Sequence, residues 1–132
     1  MQIETINECL ELSFADTPFP VVMGKLAGAG VAGYDADLIA LRKTYYDSGT
    51  DNIDEALPLA DPPAVPSAFD AAAVEASLRA IRQQEIGYAE FLRRIMRAGC
   101  ARYLVFFGGR KAMYLGRNGE FYIEPFPGSA QE

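Results

Sequence analysis

The second half of this chain repeats the pattern of the first half, and this repeat limits the fold more than any other feature. When the first half is shifted along the sequence until Tyr34 lies on Tyr103, Ala29-Gly30 also lies on Ala98-Gly99. Each copy has the periodicity of two helices followed by three strands. The sequence therefore predicts an α+β fold made by internal duplication of an ααβββ unit, with an antiparallel or mixed sheet and helices on one side.

The repeat also predicts how the chain is organised. We expect a single domain over residues 1–132, with repeat halves at about 3–58 and 70–126. Residues 60–67 (ADPPAVPS) carry three prolines and form the expected linker between the halves. The predicted helices cover about 3–14, 18–29, 69–84 and 87–98, and the predicted strands about 32–38, 42–47, 53–58, 101–107, 110–115 and 120–125.

The turns of the two main hairpins predict which residues face each other. The Gly-Gly pair at 108–109 is typical of a two-residue turn and sets Tyr103 opposite Tyr114. Applying the repeat with one residue dropped from the first hairpin loop sets Tyr34 opposite Tyr46. Because side chains alternate between the two faces of a strand, this register separates a mostly apolar face, expected under the helices, from a second face.

In the first hairpin, the second face is predicted to carry a polar cluster of Asp35, Asp37, Lys43 and Tyr45. One interpretation is an ordinary ion pair between Asp37 and Lys43 on a solvated surface. The other is a ligand-binding site, with two carboxylates for acid–base chemistry and with Lys43 and Tyr45 as donors. Both interpretations stay open at this point.

In the second hairpin, the same face carries Leu104, Phe106 and Met113. Both faces of this hairpin are therefore apolar, and an uncovered apolar face is typical of an interaction surface. We expect a homodimer that buries this face against a second copy. The alternative is that residues 48–68 fold across the face within one chain.

The composition argues against several kinds of chemistry. The chain has no histidine and only two cysteines, Cys9 and Cys100, and it lacks a calcium-binding loop pattern. We therefore expect no metal, no cofactor and no catalytic residue. Cys100 corresponds to Val31 in the repeat, which predicts a buried and inert thiol. The net charge of −6 argues against nucleic acid as a partner.

The sequence also carries signals about location. The first ten residues (MQIETINECL) lack the basic start and apolar run of a signal peptide. No apolar stretch approaches the roughly 20 residues that a membrane helix needs. We expect a cytoplasmic protein with reduced cysteines that does not bind membranes.

Several stretches of the chain carry a family resemblance. They are FPVVMGKLAGAGVAGYDADL, KTYY, AIRQQEIGYAEFLRRIMRAGC and YLGRNGEFYIEPFP. Together they resemble the YbcV-like bacterial domain family, whose members are often labelled phage envelope proteins. The resemblance covers nearly the whole chain and implies a small stand-alone bacterial domain of unknown function. It implies no catalytic residues.

These observations favour a non-enzymatic domain that binds a small molecule or a protein partner. The missing histidine and the missing activated nucleophile are the main reasons. The alternative is a small enzyme that uses the carboxylate, lysine and tyrosine cluster of the first hairpin. A pocket that gathers Asp35, Asp37, Lys43 and Tyr45 would favour the enzyme.

Overall fold

The computed structural model describes residues 1–126, so Pro127, the last residue of the EPFP segment, lies outside the described part. The helices are α1 (Ile3–Phe14), α2 (Phe19–Gly28), α3 (Ala71–Arg82) and α4 (Tyr88–Arg97). The strands are β1 (Gly33–Asp37), β2 (Arg42–Tyr46), β3 (Asn52–Ala56), β4 (Cys100–Phe106), β5 (Lys111–Gly116) and β6 (Phe121–Pro125). The ααβββ order occurs twice, which confirms the predicted α+β fold. No helix in the described residues is long and apolar enough to cross a bilayer.

The six strands form one antiparallel sheet in the order β3-β2-β1-β4-β5-β6. At its centre, Tyr34 pairs with Val105 and Ala36 pairs with Tyr103. The repeat relates Tyr34 to Tyr103 and Ala36 to Val105, so each of these pairs is the image of the other. A pseudo-twofold axis therefore runs between β1 and β4, and each repeat supplies one half of the sheet.

The helices cover one face of the sheet and enclose the core. Strand residues on that face, including Tyr34, Ala36, Tyr103 and Val105, are buried together with apolar residues of all four helices. We call this the covered face and the opposite one the open face. The alternation of buried and more exposed positions along the strands follows from the period of two in strand side chains.

Glycines end the second helix of each repeat. Gly30 and Gly99 follow α2 and α4 with φ of +93° and +91°, a conformation that side-chain-bearing residues rarely adopt. At Gly99 there is a second requirement, since an added Cβ would lie 2.1 Å from the carbonyl oxygen of Ala68. The start of α3 is capped by Asp70, whose Oδ1 accepts a hydrogen bond from the backbone N–H of Ala73 at 3.1 Å.

The linker between the repeats is anchored to the second half. Leu59 and Val65 are buried in the core. Arg93 on α4 donates from Nη2 to the carbonyl of Ala60 at 2.9 Å, and Arg117 donates from Nε to the carbonyl of Val65 at 2.9 Å. This path leaves the open face uncovered, since Phe106 there stays 39% exposed.

The register of the first hairpin differs by one residue from the prediction. Tyr34 pairs with Tyr45 rather than with Tyr46, and Ala36 pairs with Lys43. The second hairpin has its predicted register, with Tyr103 opposite Tyr114 and Val105 opposite Ala112. The alignment that places Tyr34 on Tyr103 therefore holds through both hairpins, and no residue is dropped.

A tight turn without glycine explains the error. Asp37 Oδ1 accepts hydrogen bonds from the backbone N–H groups of Ile39 and Ala40, at 3.0 and 2.9 Å. Leu41 then takes φ of 55°, which matches φ of 54° at Arg110 in the other repeat. The carboxylate thus stabilises a four-residue turn over 38–41, where the sequence shows no glycine.

Candidate functional site

The corrected register divides the predicted polar cluster between the two faces of the sheet. Asp35 and Asp37 lie on the open face, where Arg102 contacts both: Nε to Asp35 Oδ1 at 3.1 Å and Nη2 to Asp37 Oδ2 at 3.6 Å. Lys43 and Tyr45 lie on the covered face and are buried. The predicted ion pair between Asp37 and Lys43 is therefore wrong, and the four residues do not form one site.

Lys43 is the unusual residue of the covered face, since its side chain is only 3% exposed. Its Nζ lies 4.7 Å from the ring centre of Tyr34 and 4.9 Å from that of Tyr88. A third ring, that of Tyr45, is 6.0 Å away. These rings stabilise a cation through their π faces, but they cannot replace the hydrogen bonds that an amine makes in water.

The environment of Lys43 changes its proton affinity. Burial lowers its pKa from 10.5 to about 8, and the opposing charges of Glu55 and Cys9 limit the shift. Glu55 is the cross-strand partner of Lys43 on β3. Burial raises the pKa of Glu55, while the neighbouring Tyr45 hydroxyl and Lys43 lower it. Within residues 1–126, Glu55 Oε1 is buried without a hydrogen-bond partner.

Tyrosines from both repeats meet on the covered face beside Lys43. The hydroxyls of Tyr88 and Tyr103 form a short hydrogen bond. The Tyr103 ring lies edge-on to Tyr34, with centres 6.0 Å apart, and stacks on Tyr114 at 5.3 Å. Burial raises the pKa of each of these hydroxyls, so they stay protonated near neutral pH and act as neutral hydrogen-bonding groups.

A cavity of about 640 Å³ opens above Lys43 between the sheet and the helices. Tyr34, Lys43 and Tyr45 form its floor, and residues of α1, α2 and the loop between α3 and α4 form its walls. A volume of this size is in the range that holds small organic ligands. Both repeats therefore contribute to one pocket.

A contact between the two repeats holds the rim of this cavity. Asp16, in the loop after α1, accepts a hydrogen bond at Oδ1 from the backbone N–H of Tyr88 at 3.2 Å. Gly87 makes this approach feasible, because an added Cβ there would lie 2.2 Å from Asp16 Oδ1. The loop therefore depends on a glycine at the start of α4.

The repeat explains why the cavity lies in the first half. Val22 lines the cavity, and its counterpart in the second repeat is Phe91. Phe91 is buried and contacts the Tyr114 ring edge-on, with centres 6.4 Å apart. Phenylalanine thus fills the space over the tyrosine in the second half, whereas valine leaves it open in the first half.

The two halves also place their cations differently. Glu124, the counterpart of Glu55, forms an ion pair with Arg82 on α3, with Oε2 and Nη1 2.6 Å apart. The counterpart of Lys43 is Ala112, so β5 carries an alanine where β2 carries the lysine. In the second repeat, an arginine on a helix therefore pairs with the sheet glutamate. In the first repeat, a lysine on the neighbouring strand lies opposite the glutamate instead.

This arrangement can hold a small molecule with an apolar or aromatic body and an oxygen-bearing polar end. Aromatic rings and apolar helix residues surround the body, while the Lys43 amine meets the polar end. Among the described residues, no group of three or more Cys, Asp or Glu side chains is placed to hold a metal ion. The free cysteines, Cys9 and Cys100, are both buried.

The open face carries the apolar residues that were predicted to form an interface. Leu104, Phe106 and Met113 share this face, and the register extends it to β6, where Met113 pairs with Ile123. Phe121 and Ile123 on β6 are 59% and 41% exposed. We call these five residues the open-face patch.

Sequence reasoning missed most of the cavity residues. Tyr88 and Val22 lie on helices, and nothing in the helical periodicity separates a cavity-lining residue from a core residue. The signal that existed was the repeat itself. With no residue dropped, Lys43 falls on Ala112 and Glu55 falls on Glu124, which reveals a lysine present in one half alone.

Comparison with known proteins adds relatives without a described activity. Proteins of Mycobacterium bovis and of two strains of Mycobacterium tuberculosis, each described as uncharacterized, are 32% identical to this chain over 108 residues. The matched region is 82% of the chain and 66% of each relative, so the chain spans just under two thirds of their length. No family model matches the sequence.

Proposed function

We propose that this domain binds a small organic molecule in the cavity above Lys43 and does not itself catalyse a reaction. The observation that carries the proposal is a lysine, 3% exposed, on the floor of a cavity of about 640 Å³. Burying an ammonium without hydrogen bonds is costly, on the order of several kcal/mol. A ligand that contacts the amine recovers part of this cost when it binds.

The lining residues indicate the chemistry of the ligand. The Tyr34, Tyr45 and Tyr88 rings favour a flat or aromatic body, which stacks on them or meets their edges. The polar end of the ligand accepts a hydrogen bond or ion pair from Lys43 and therefore carries oxygen. The protonated tyrosine hydroxyls add neutral polar groups to the lining of the cavity.

A fragment screen by ligand-observed NMR tests this proposal. The test variant is Val22→Phe, which copies Phe91 of the second repeat and should fill the cavity without disturbing the fold. We expect aromatic fragments with an oxygen-bearing group to bind the parent and to lose most of their affinity in the variant. Thermal unfolding of both proteins checks that the variant is folded.

Two further variants make the result specific to the cavity. Lys43→Met should weaken fragments that carry the polar group more than fragments that lack it. Phe106→Glu changes the open face and should bind fragments as the parent does. If no fragment distinguishes the parent from Val22→Phe, the cavity is not a binding site and the proposal fails.

A second proposal concerns self-association through the open-face patch. A flat apolar face matches the same face of a second copy turned by a twofold axis. The neighbouring charges, Arg102 with Asp35 and Asp37, are paired within the chain, so they favour no strongly charged partner. This supports a second copy as the occupant, and the expected state is a homodimer.

Analytical ultracentrifugation at micromolar concentration tests this second proposal. Phe106→Glu should sediment as a monomer while the parent sediments as a dimer. Val21→Glu is the matched control, because Val21 is an apolar residue that is 50% exposed on α2, on the helix side of the sheet. A parent that stays monomeric, or a Phe106→Glu variant that dimerises equally well, removes the proposal.

The remaining expectations concern relatives and location. We propose that the chain is a YbcV-like bacterial domain, on the motifs quoted above. A cytoplasmic location is supported by two free thiols, Cys9 and Cys100, which persist in a reducing compartment. Fractionation of cells that express the full-length protein would test the location.

A further inference from the structure

The Lys43 amine has a combination of features that ordinary buried lysines lack. Its side chain lines the cavity, so a molecule that enters can reach it. Across residues 1–126, its Nζ makes no hydrogen bond within 3.5 Å and no ion pair within 4.0 Å; its neighbours are aromatic rings. The nitrogen is thus held in place without a donor or acceptor that would occupy it.

The fold does not require a lysine at this position. In the second repeat, Arg82 reaches from α3 to neutralise Glu124, and the strand position opposite the glutamate is Ala112. In the first repeat the corresponding position, at the end of α1, is Phe14. The helices α1 and α3 have equal lengths, and the loop that follows is one residue longer in the second repeat. The amine of the first repeat therefore lies over the tyrosines rather than at the outer edge of the sheet.

Resting on the proposed binding function, we propose that the polar end of the ligand is an aldehyde or ketone, and that Lys43 captures it reversibly as an imine. The nitrogen lone pair forms a C–N bond to the carbonyl carbon while the carbonyl π electrons move to oxygen. The resulting carbinolamine loses that oxygen as water together with the two amine hydrogens. A C=N bond remains, and hydrolysis returns the free amine and the carbonyl compound.

The surroundings of the amine favour this reaction. Capture requires the neutral amine, and burial lowers the pKa of Lys43 to about 8. The other charged groups of the site are Glu55 beside Lys43 and Asp16, Arg82 and Glu85 on the cavity wall. Near neutral pH the neutral fraction is then about two orders of magnitude larger than for an ordinary lysine of pKa about 10.4.

Reductive trapping with benzaldehyde and cyanoborohydride tests the inference. The reductant delivers hydride to the imine and leaves a stable benzylamine, which peptide mapping by mass spectrometry locates. The chain contains three lysines, Lys25, Lys43 and Lys111, so the two exposed ones serve as internal references. We expect Lys43 to be labelled at least ten times faster than either reference, and Val22→Phe to remove this preference.

The controls separate this inference from the binding proposal. Lys43→Arg keeps a cation but cannot form the adduct, so it should bind benzaldehyde without being labelled at this position. Labelling of Lys25 and Lys111 as fast as Lys43 overturns the inference. If aromatic fragments bind the cavity but no imine is trapped, the inference alone fails; if nothing binds, the binding proposal fails too.

Discussion

Replacing Lys43 with methionine gives the sharpest test of the buried amine. Methionine has similar length and no charge, so Lys43→Met removes the cost of burying an ammonium while keeping most of the packing. The folded-state pKa of about 8 lies below the unfolded value of 10.5. In the parent, folding therefore releases protons between these values, and the stability of the parent rises as pH increases through that window.

The magnitude follows from these two pKa values. At about pH 7 the buried lysine reduces the free energy of unfolding by about 3 kcal/mol, and by about pH 10 this cost falls to about 1 kcal/mol. The stability advantage of Lys43→Met over the parent should therefore shrink by about 2 kcal/mol across this range. Because the Tyr34 and Tyr88 rings favour the charged amine, this figure is an upper limit.

Urea unfolding of the parent and the variant at several pH values measures this difference directly. In the unfolded chain, Cys9, Cys100 and the buried tyrosines also titrate near this range, but they are present in both proteins and their contribution largely cancels in the difference. Lys111→Met is the matched control, since Lys111 is exposed and the same substitution there removes no buried ammonium. A Lys43→Met variant that is less stable than the parent near neutral pH, with no pH dependence, would refute the reasoning.

Three further predictions concern the scaffold. Gly99→Ala should destabilise the protein by more than about 3 kcal/mol, because its Cβ would meet the Ala68 carbonyl at 2.1 Å. Gly30→Ala shares the positive φ but meets nothing nearer than 3.6 Å, so it should cost only about 1 kcal/mol in the same chemical denaturation experiment. Cys100→Val copies Val31 of the first repeat and should change stability by less than about 1.5 kcal/mol, with fragment binding unchanged; a variant that folds but no longer binds fragments would contradict the structural role of this thiol.

Helices and the repeat were predictable because their signals are local and periodic. The predicted helix over 3–14 has the same bounds as α1, since apolar residues at helical spacing and the break at Asp16 mark both ends. The strand order within each repeat was predictable because short turns join consecutive strands, and strands joined in this way pair with each other. The join of the two half-sheets along β1 and β4 is a long-range contact, which no local pattern specifies.

The candidate site was harder to predict because one residue of register decides its composition. A turn without glycine at Ile39 and Ala40 is stabilised by Asp37, and local glycine patterns do not reveal it. The resulting shift moved Lys43 and Tyr45 to the covered face and left Asp35 on the open face. A lysine in a strand is ordinarily solvated, so the sequence favoured the wrong face for this residue.

The most direct test of the central claim is fluorescence titration with 1-anilinonaphthalene-8-sulfonate, an aromatic probe that carries an anionic group. The cavity of about 640 Å³ has room for one probe molecule, with its sulfonate toward Lys43. We predict one saturable site that Val22→Phe abolishes, that Lys43→Met weakens, and that Phe106→Glu leaves intact. Binding that survives Val22→Phe but disappears in Phe106→Glu would place the probe on the open-face patch and contradict the account.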